Sequence, residues 1–236
     1  MNRRAQAEQS FARLKSVLDK PYFFVHVNKC GGTSVAAALN IAQLHGSVKT
    51  MIKLFGPGFF ASRKAFSVVR RPYERMCSLY RYRVKRNEAE FNGRTLELNE
   101  WVYRAVKLQD PQFVLGEEMM KPALDWMVDS AGNNLVDLVV QLENIEEDWG
   151  KIQALTGCKA ELPRMNATRS TPETSIAALS SESREIIEDF FDVDFDTFGY
   201  DRFEAAAWRP AGSSALSANS VPLASEAPAA GAQRPA

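Results

Sequence analysis

Cysteine is scarce in this 236-residue chain: Cys30, Cys77 and Cys158 are widely spaced and odd in number. That pattern excludes a disulfide-stapled scaffold, and none of the three has metal-ligand spacing, so no metal is expected and a reducing, cytoplasmic setting is. Histidine is scarcer still, with only His26 and His45. Long apolar runs are missing at the start, where MNRRAQAEQSFARLKSVLDK is charged throughout, so neither a signal peptide nor a membrane anchor is expected. The string G-x-x-x-x-G-K-[ST] does not occur, which disfavours a kinase or ATPase built on the usual nucleoside-triphosphate loop. An excess of charge of one sign is also lacking, because 29 basic residues balance 29 acidic ones.

What is present suits one folded domain with a sizeable core, since 45% of residues are hydrophobic and 25% charged. Charge is local instead of global: nine Lys or Arg lie between Arg63 and Arg86 against one acid, Glu74. Such a segment suits a polyanion or forms a solvated helix face. Its confinement to one stretch argues against nucleic acid as a partner. Residues 1–20 read as an N-terminal helical extension with Phe11, Leu14 and Leu18 at helical spacing, residues 21–205 as the main domain, and residues 206–236 as a disordered tail rich in Pro, Ala and Ser.

Within the main domain, Tyr22–Val27 is a continuous apolar and aromatic run of the kind buried on both faces of a parallel sheet. A glycine turn at residues 28–34 leads from it into a helix expected over Val35–Leu44. A second strand, Ala65–Val69, ends at Arg70-Arg71-Pro72, and the proline fits the first turn of the next helix. Leu96–Val106 has an amphipathic pattern, residues 107–123 read as loop and short helix, and Leu135–Leu142 reads as a third buried strand. Residues 143–155 follow as a helix with acids crowding its first turns and Gly157 as its C-cap. A polar loop from Pro163 to Pro172 precedes helical segments at Ser183–Phe191 and Asp192–Tyr200. Strands alternating with helices predict an α/β fold: a P-loop-like three-layer domain whose central, mainly parallel sheet is flanked by helices, with a ligand at the carboxyl ends of the strands.

A buried strand that turns through two glycines into a helix presents converging backbone N–H groups, and the helix dipole adds partial positive charge. Here Lys29 precedes the glycines, Gly31 and Gly32 let a ligand approach the backbone, and Thr33 and Ser34 add hydroxyls. Alone, a Gly-Gly pair is more often a plain turn. A second candidate anion site tips the balance: Arg70 closes a strand and Ser78 follows in the next helix, so guanidinium and hydroxyl have one anionic group within joint reach. Two anion sites imply a ligand phosphorylated at both ends.

Together these stretches resemble the family of sulfotransferases that use 3'-phosphoadenylyl sulfate (PAPS), in particular its carbohydrate-sulfating branch. Phe24-Val-His-Val-Asn-Lys-Cys-Gly-Gly-Thr-Ser-Val35 is similar to the family's 5'-phosphosulfate motif, and Phe66-Ser-Val-Val-Arg-Arg-Pro-Tyr-Glu-Arg-Met-Cys-Ser-Leu-Tyr80 to its 3'-phosphate motif. Leu142–Trp149, Pro163–Thr168 and Asp194–Tyr200 are similar in order and character to its later blocks, so the resemblance runs over about residues 22–202. Asn28 stands where the family usually has proline, and Cys30 where threonine or alanine is usual. The thiol of Cys30, at a helix start beside Lys29, is either a redox-sensitive thiolate or a small residue filling the turn.

The resemblance implies transfer of a sulfuryl group from PAPS, without a metal, to an acceptor hydroxyl on a carbohydrate or glycolipid. It gives donor binding to Lys29, Cys30, Gly31, Gly32, Thr33, Ser34, Arg70 and Ser78, with Lys29 also offsetting charge on the departing nucleotide. An acceptor hydroxyl needs a base. His26, in a strand, reads as structural. His45 is the histidine candidate, although at the end of the following helix it would lie about 15 to 18 Å from the loop at 1.5 Å per residue. Glu74, Glu88 and Glu90 are unranked alternatives, and Asn166 and Arg169 are candidate donor or acceptor contacts. A binding module for nucleotides or sulfated glycans and an atypical small-molecule kinase remain as competing readings. Oligomeric state is open.

Overall fold

The computed structural model describes residues 3–114, 117–165 and 171–203. The chain begins with α1 (Arg3–Leu18) and enters the sheet at β1 (Tyr22–Val25). Helix α2 (Gly32–Ala38) follows the glycine turn, then α3 (Val48–Phe55), the single turn α4 (Gly58–Ala61), and β2 (Lys64–Val69). Helix α5 (Pro72–Lys85) leads to a small hairpin of β3 (Glu90–Phe91) and β4 (Arg94–Thr95), then α6 (Leu98–Val102), which runs into a π-helical turn at Tyr103–Lys107. Strand β5 (Leu138–Gln141), α7 (Ile145–Thr156), α8 (Ser181–Phe190) and α9 (Asp192–Phe198) complete the described chain.

Strands β1, β2 and β5 form a parallel sheet with β2 in the middle, Phe24 opposite Phe66 and Phe66 opposite Leu138. Alternation along the strands divides the core between two faces. Tyr22, Phe24, Phe66, Val68 and Val140 pack with Val35 of α2 and with Ile145, Trp149 and Ile152 of α7. Phe23, Val25, Ala65 and Val69 point the other way, into a larger core with Tyr73, Met76, Trp101, Ile187, Phe191 and Phe195 from the helices opposite. This is the expected three-layer α/β arrangement, and it is why β1 and β2 read as unbroken apolar runs instead of alternating ones.

The boundaries differ from the sequence reading in ways that bear on the site. Helix α2 stops at Ala38, six residues short of Leu44, because the chain turns left-handed at Asn40 with φ 49°. Residues 39–45 then fold back along the sheet end, tied by Ile41 N to Ala36 O at 3.0 Å and by Ala42 N to Ser16 Oγ at 3.0 Å. β5 begins at Leu138 instead of Leu135, since Asp137 is used as a clamp: its carboxylate accepts from Ala65 N at 2.8 Å and pairs with Lys64 at 3.1 Å. Phe11 of α1 is exposed, and Val17 and Leu18 in the last turn meet the core, Val17 buried and Leu18 partly so. The segment assigned to the tail, residues 206–236, lies outside the described residues.

Candidate active site

All three parallel strands end at the same side of the molecule, and the segments leaving them wall a cavity of about 590 Å3. From β1 come His26, Asn28, Lys29, Gly31, Gly32, Thr33 and Ser34; from β2 and α5 come Arg70, Ser78, Arg81 and Tyr82; from beyond β5 come Leu142, Ile145 and Glu146. Gln43 and His45 from the folded-back crossover, and Pro163, Arg164 and Met165 from the late loop, close it further. Arg70 and Ser78 thus face the same space as the glycine turn. Cys30 of the expected donor-binding set is the one that does not line it.

The turn is built on left-handed backbone at Lys29 (φ 63°) and Gly31 (φ 74°). For lysine that conformation costs on the order of 1–2 kcal/mol. Glycine is demanded at 31 by that backbone conformation and at 32 by a neighbour within the protein. A Cβ on Gly31 would come 2.5 Å from Leu142 Cδ1, and one on Gly32 would come 1.8 Å from His26 Nε2. The imidazole of His26 therefore supports the loop from beneath. It stacks on Phe24 with ring centres 5.2 Å apart, and its Nδ1 is buried without a hydrogen-bond partner. Burial, then the neighbouring His45, pushes its pKa down to about 3, so it is neutral at physiological pH.

His45 is not a helix length away from the loop. Because α2 ends early, its ring centre lies 4.2 Å from that of His26 and it lines the cavity. Asn40 was the available sequence signal, since asparagine tolerates the left-handed conformation that ends a helix. The three glutamates weighed as bases all lie off the cavity wall: Glu74 pairs with Arg71 at 3.6 Å, Glu88 is gripped at 2.6 Å by both Arg83 and Arg86, and Glu90 is exposed on β3. Asn166 and Arg169 lie outside the described residues, but the start of their loop is anchored at the cavity by Met165 N donating to Ser34 Oγ at 3.1 Å.

Cys30 is no thiolate. It is buried, its Sγ donates to Asn28 O at 3.4 Å, and burial pushes its pKa up to about 12, against the weaker pull of Arg75 and Arg70. The helix start and Lys29 lose to desolvation.

Lys29 is half-buried, and burial together with nearby Arg70 and Arg81 lowers its pKa. Its Nζ rests 4.5 Å from the ring centre of Tyr82, while its carbonyl accepts from Arg70 Nη1 at 3.3 Å. Among the lining residues the cations are Lys29, Arg70, Arg81 and Arg164, and the acid is Glu146, which Arg164 holds at 2.6 Å. Such a balance in a recess favours an anionic ligand. Much of the rest of the basic segment is spent on structure: Arg63 donates to Leu18 O and Lys20 O, Lys64 pairs with Asp137, and Arg83 and Arg86 share Glu88. Among the described residues, no cluster of three His, Cys, Asp or Glu side chains is arranged to hold a metal.

This fold and recess have a counterpart among known families. Residues 19–201, well over half of the chain, match the Sulfotransferase family, and the chain belongs to it. It is accordingly a transferase of sulfuryl groups. No curated protein and no solved structure gives a match. Among the described residues no helix is long and apolar enough to cross a membrane.

Proposed function

We propose that the chain moves the sulfuryl group of PAPS to an acceptor hydroxyl, on a carbohydrate or glycolipid, with the donor in the cavity at the strand ends. The observation that carries this reading is that Lys29, Gly31 to Ser34 and the pair Arg70 and Ser78 line one recess instead of two. A nucleotide with phosphate on both its 5' and 3' positions fits that donor set, since the recess combines backbone N–H groups of the glycine turn with a guanidinium and a hydroxyl from the second strand-turn-helix unit. The amides of Gly32 and Thr33 hold the 5'-phosphate, that of Ser34 being donated to Gly31 O at 3.1 Å within the turn, and Arg70 with Ser78 holds the 3'-phosphate. The donor supplies an activated sulfur: its bond to the 5'-phosphate oxygen breaks as one to the acceptor oxygen forms, and 3',5'-ADP leaves. Lys29 offsets the negative charge that grows on that leaving oxygen, an interaction strengthened by partial burial. His45, whose ring packs against neutral His26, accepts the proton of the acceptor hydroxyl. The buried thiols of Cys30 and Cys77 are in keeping with a reducing, cytoplasmic setting.

The test is incubation with 35S-labelled PAPS and a panel of glycans and glycolipids. Label should pass to a carbohydrate, with Lys29→Ala reducing the rate by 100-fold or more. Nucleotide binding without transfer to any acceptor would return the protein to the class of binding modules, and tighter stabilisation by ATP with Mg2+ than by 3',5'-ADP would make it a kinase.

A further inference from the structure

The two peptide carbonyls flanking the Lys29 side chain each carry a guanidinium. Asn28 O accepts from Arg75 Nε at 3.3 Å, and Lys29 O accepts from Arg70 Nη1 at 3.3 Å. Between them Lys29 sits at φ 63°, where a residue with a side chain is strained. Strain of that kind persists where surrounding contacts over-determine the backbone. Arg75 grips its neighbour twice, since Nη2 also donates to Asn28 Oδ1 at 2.7 Å. Asn28 completes the link by donating Nδ2 to Met119 O at 3.0 Å.

Arg75 itself is 1% exposed and does not line the cavity. Its Nη1 lies 3.8 Å from Asp194 Oδ2 and makes no hydrogen bond. Asp194, also 1% exposed, is fixed by the amides of Ala123 at 2.7 Å and Leu124 at 3.0 Å. An ion pair so deep and so long is a poor device for stability alone, because apolar side chains of similar volume fill such a site at least as well. What an apolar side chain lacks is the fork of donors that fixes both oxygens of Asn28 at once.

We infer that Arg75, seated on Asp194, is a positioning residue that acts through Asn28 and the 28–29 peptide to hold Lys29 in its left-handed conformation and keep its ammonium on the cavity wall. The inference deepens the sulfuryl-transfer reading and rests on Lys29 acting there. It also explains Asn28, which departs from the family's usual proline, because its hydrogen bonds restrain the chain where a ring otherwise would.

Two variants test it, Asn28→Ala as the mild lesion and Arg75→Lys as the severe one. Amide hydrogen exchange is the first readout and needs no activity. Ser34 and Val35, whose amides donate to Gly31 O at 3.1 and 3.4 Å, should exchange at least tenfold faster in both variants while Tyr22–Val25 of β1 keep their parent rates. Unchanged loop exchange, or equal loosening of β1, overturns the inference. The second readout is kinetic. Asn28→Ala should lower kcat at least tenfold with the Kd for 3',5'-ADP within threefold of the parent, and in a Lys29→Ala background it should change the residual rate by less than twofold, because its effect passes through the lysine. The same factor lost with and without the lysine would mark a merely structural residue and overturn the inference. A parent chain that transfers no sulfuryl group sinks the functional reading and the role of Lys29 with it, and the exchange readout distinguishes that result from a failed brace.

Discussion

His26 shows how one side chain can be read correctly for burial and incompletely for purpose. Its place in an apolar strand made a structural role the expectation, and it is indeed buried, but its imidazole fills the space that a Cβ on Gly32 would need. No sequence pattern exposes that contact, because the two residues meet through the curl of the loop and not through periodicity. A pH dependence follows. With the folded pKa near 3 and an unfolded value near 6.5, the unfolded chain binds one more proton throughout that interval, so stability falls as pH falls through it. The loss is about 1.4 kcal/mol per pH unit from this group, or about 2 kcal/mol by pH 5. His45 is the titratable neighbour stacked on it. Chemical denaturation of the parent and of His26→Gln between pH 7 and pH 5 should show the parent losing stability more steeply. Parallel curves would show that the imidazole is charged inside the protein.

At the scale of elements, β1 and β2 were legible almost to the residue, since a strand buried on both faces leaves an uninterrupted apolar run. Helix α5 was legible from Pro72. Helix α2 was overrun, because Ile41, Ala42 and Leu44 continue an apolar pattern that the structure uses in a folded-back segment instead. Helix α7 ended where its glycine indicated: Gly157 adopts φ 72° at the C-cap, and its N–H donates to Gln153 O at 2.8 Å. A Cβ there would meet nothing within 4 Å, so strain alone sets the cost. Gly157→Ala should destabilise by about 1 kcal/mol. Gly150→Ala, inside the same helix with equally open surroundings, should stabilise by a similar amount, about 0.5–1 kcal/mol. Thermal melts of the pair check both signs at once.

For the whole molecule, the two strand-turn-helix units were each visible in sequence, and their order alone pointed to a shared ligand. The walls that complete the cavity were only partly visible. Leu142 and Arg164 fall in the stretches likened to the family's later blocks, whereas Gln43 and Tyr82 carried no signal of their own, and three-dimensional proximity is what joins all four. A ligand that bridges both units should stabilise the whole domain by mass action. Saturation with 3',5'-ADP at 100 times its Kd should add about 2.7 kcal/mol, raising Tm by roughly 5–10 °C for a domain of this size. The shift should shrink with added salt and nearly vanish in Arg70→Ala. An equal shift from 5'-AMP would show that no 3'-phosphate site exists.

The early end of α2 has an architectural consequence. Residues 39–45 double back so that Gln43 and His45 roof the chamber, and Ser16 pins that roof to the N-terminal helix. Changes of length in this crossover would therefore not be absorbed at the periphery, as in most connections, but would raise or lower a ceiling. In relatives of this chain, the number of residues between Ala38 and Ser47 should track the bulk of the molecule accepted beneath it.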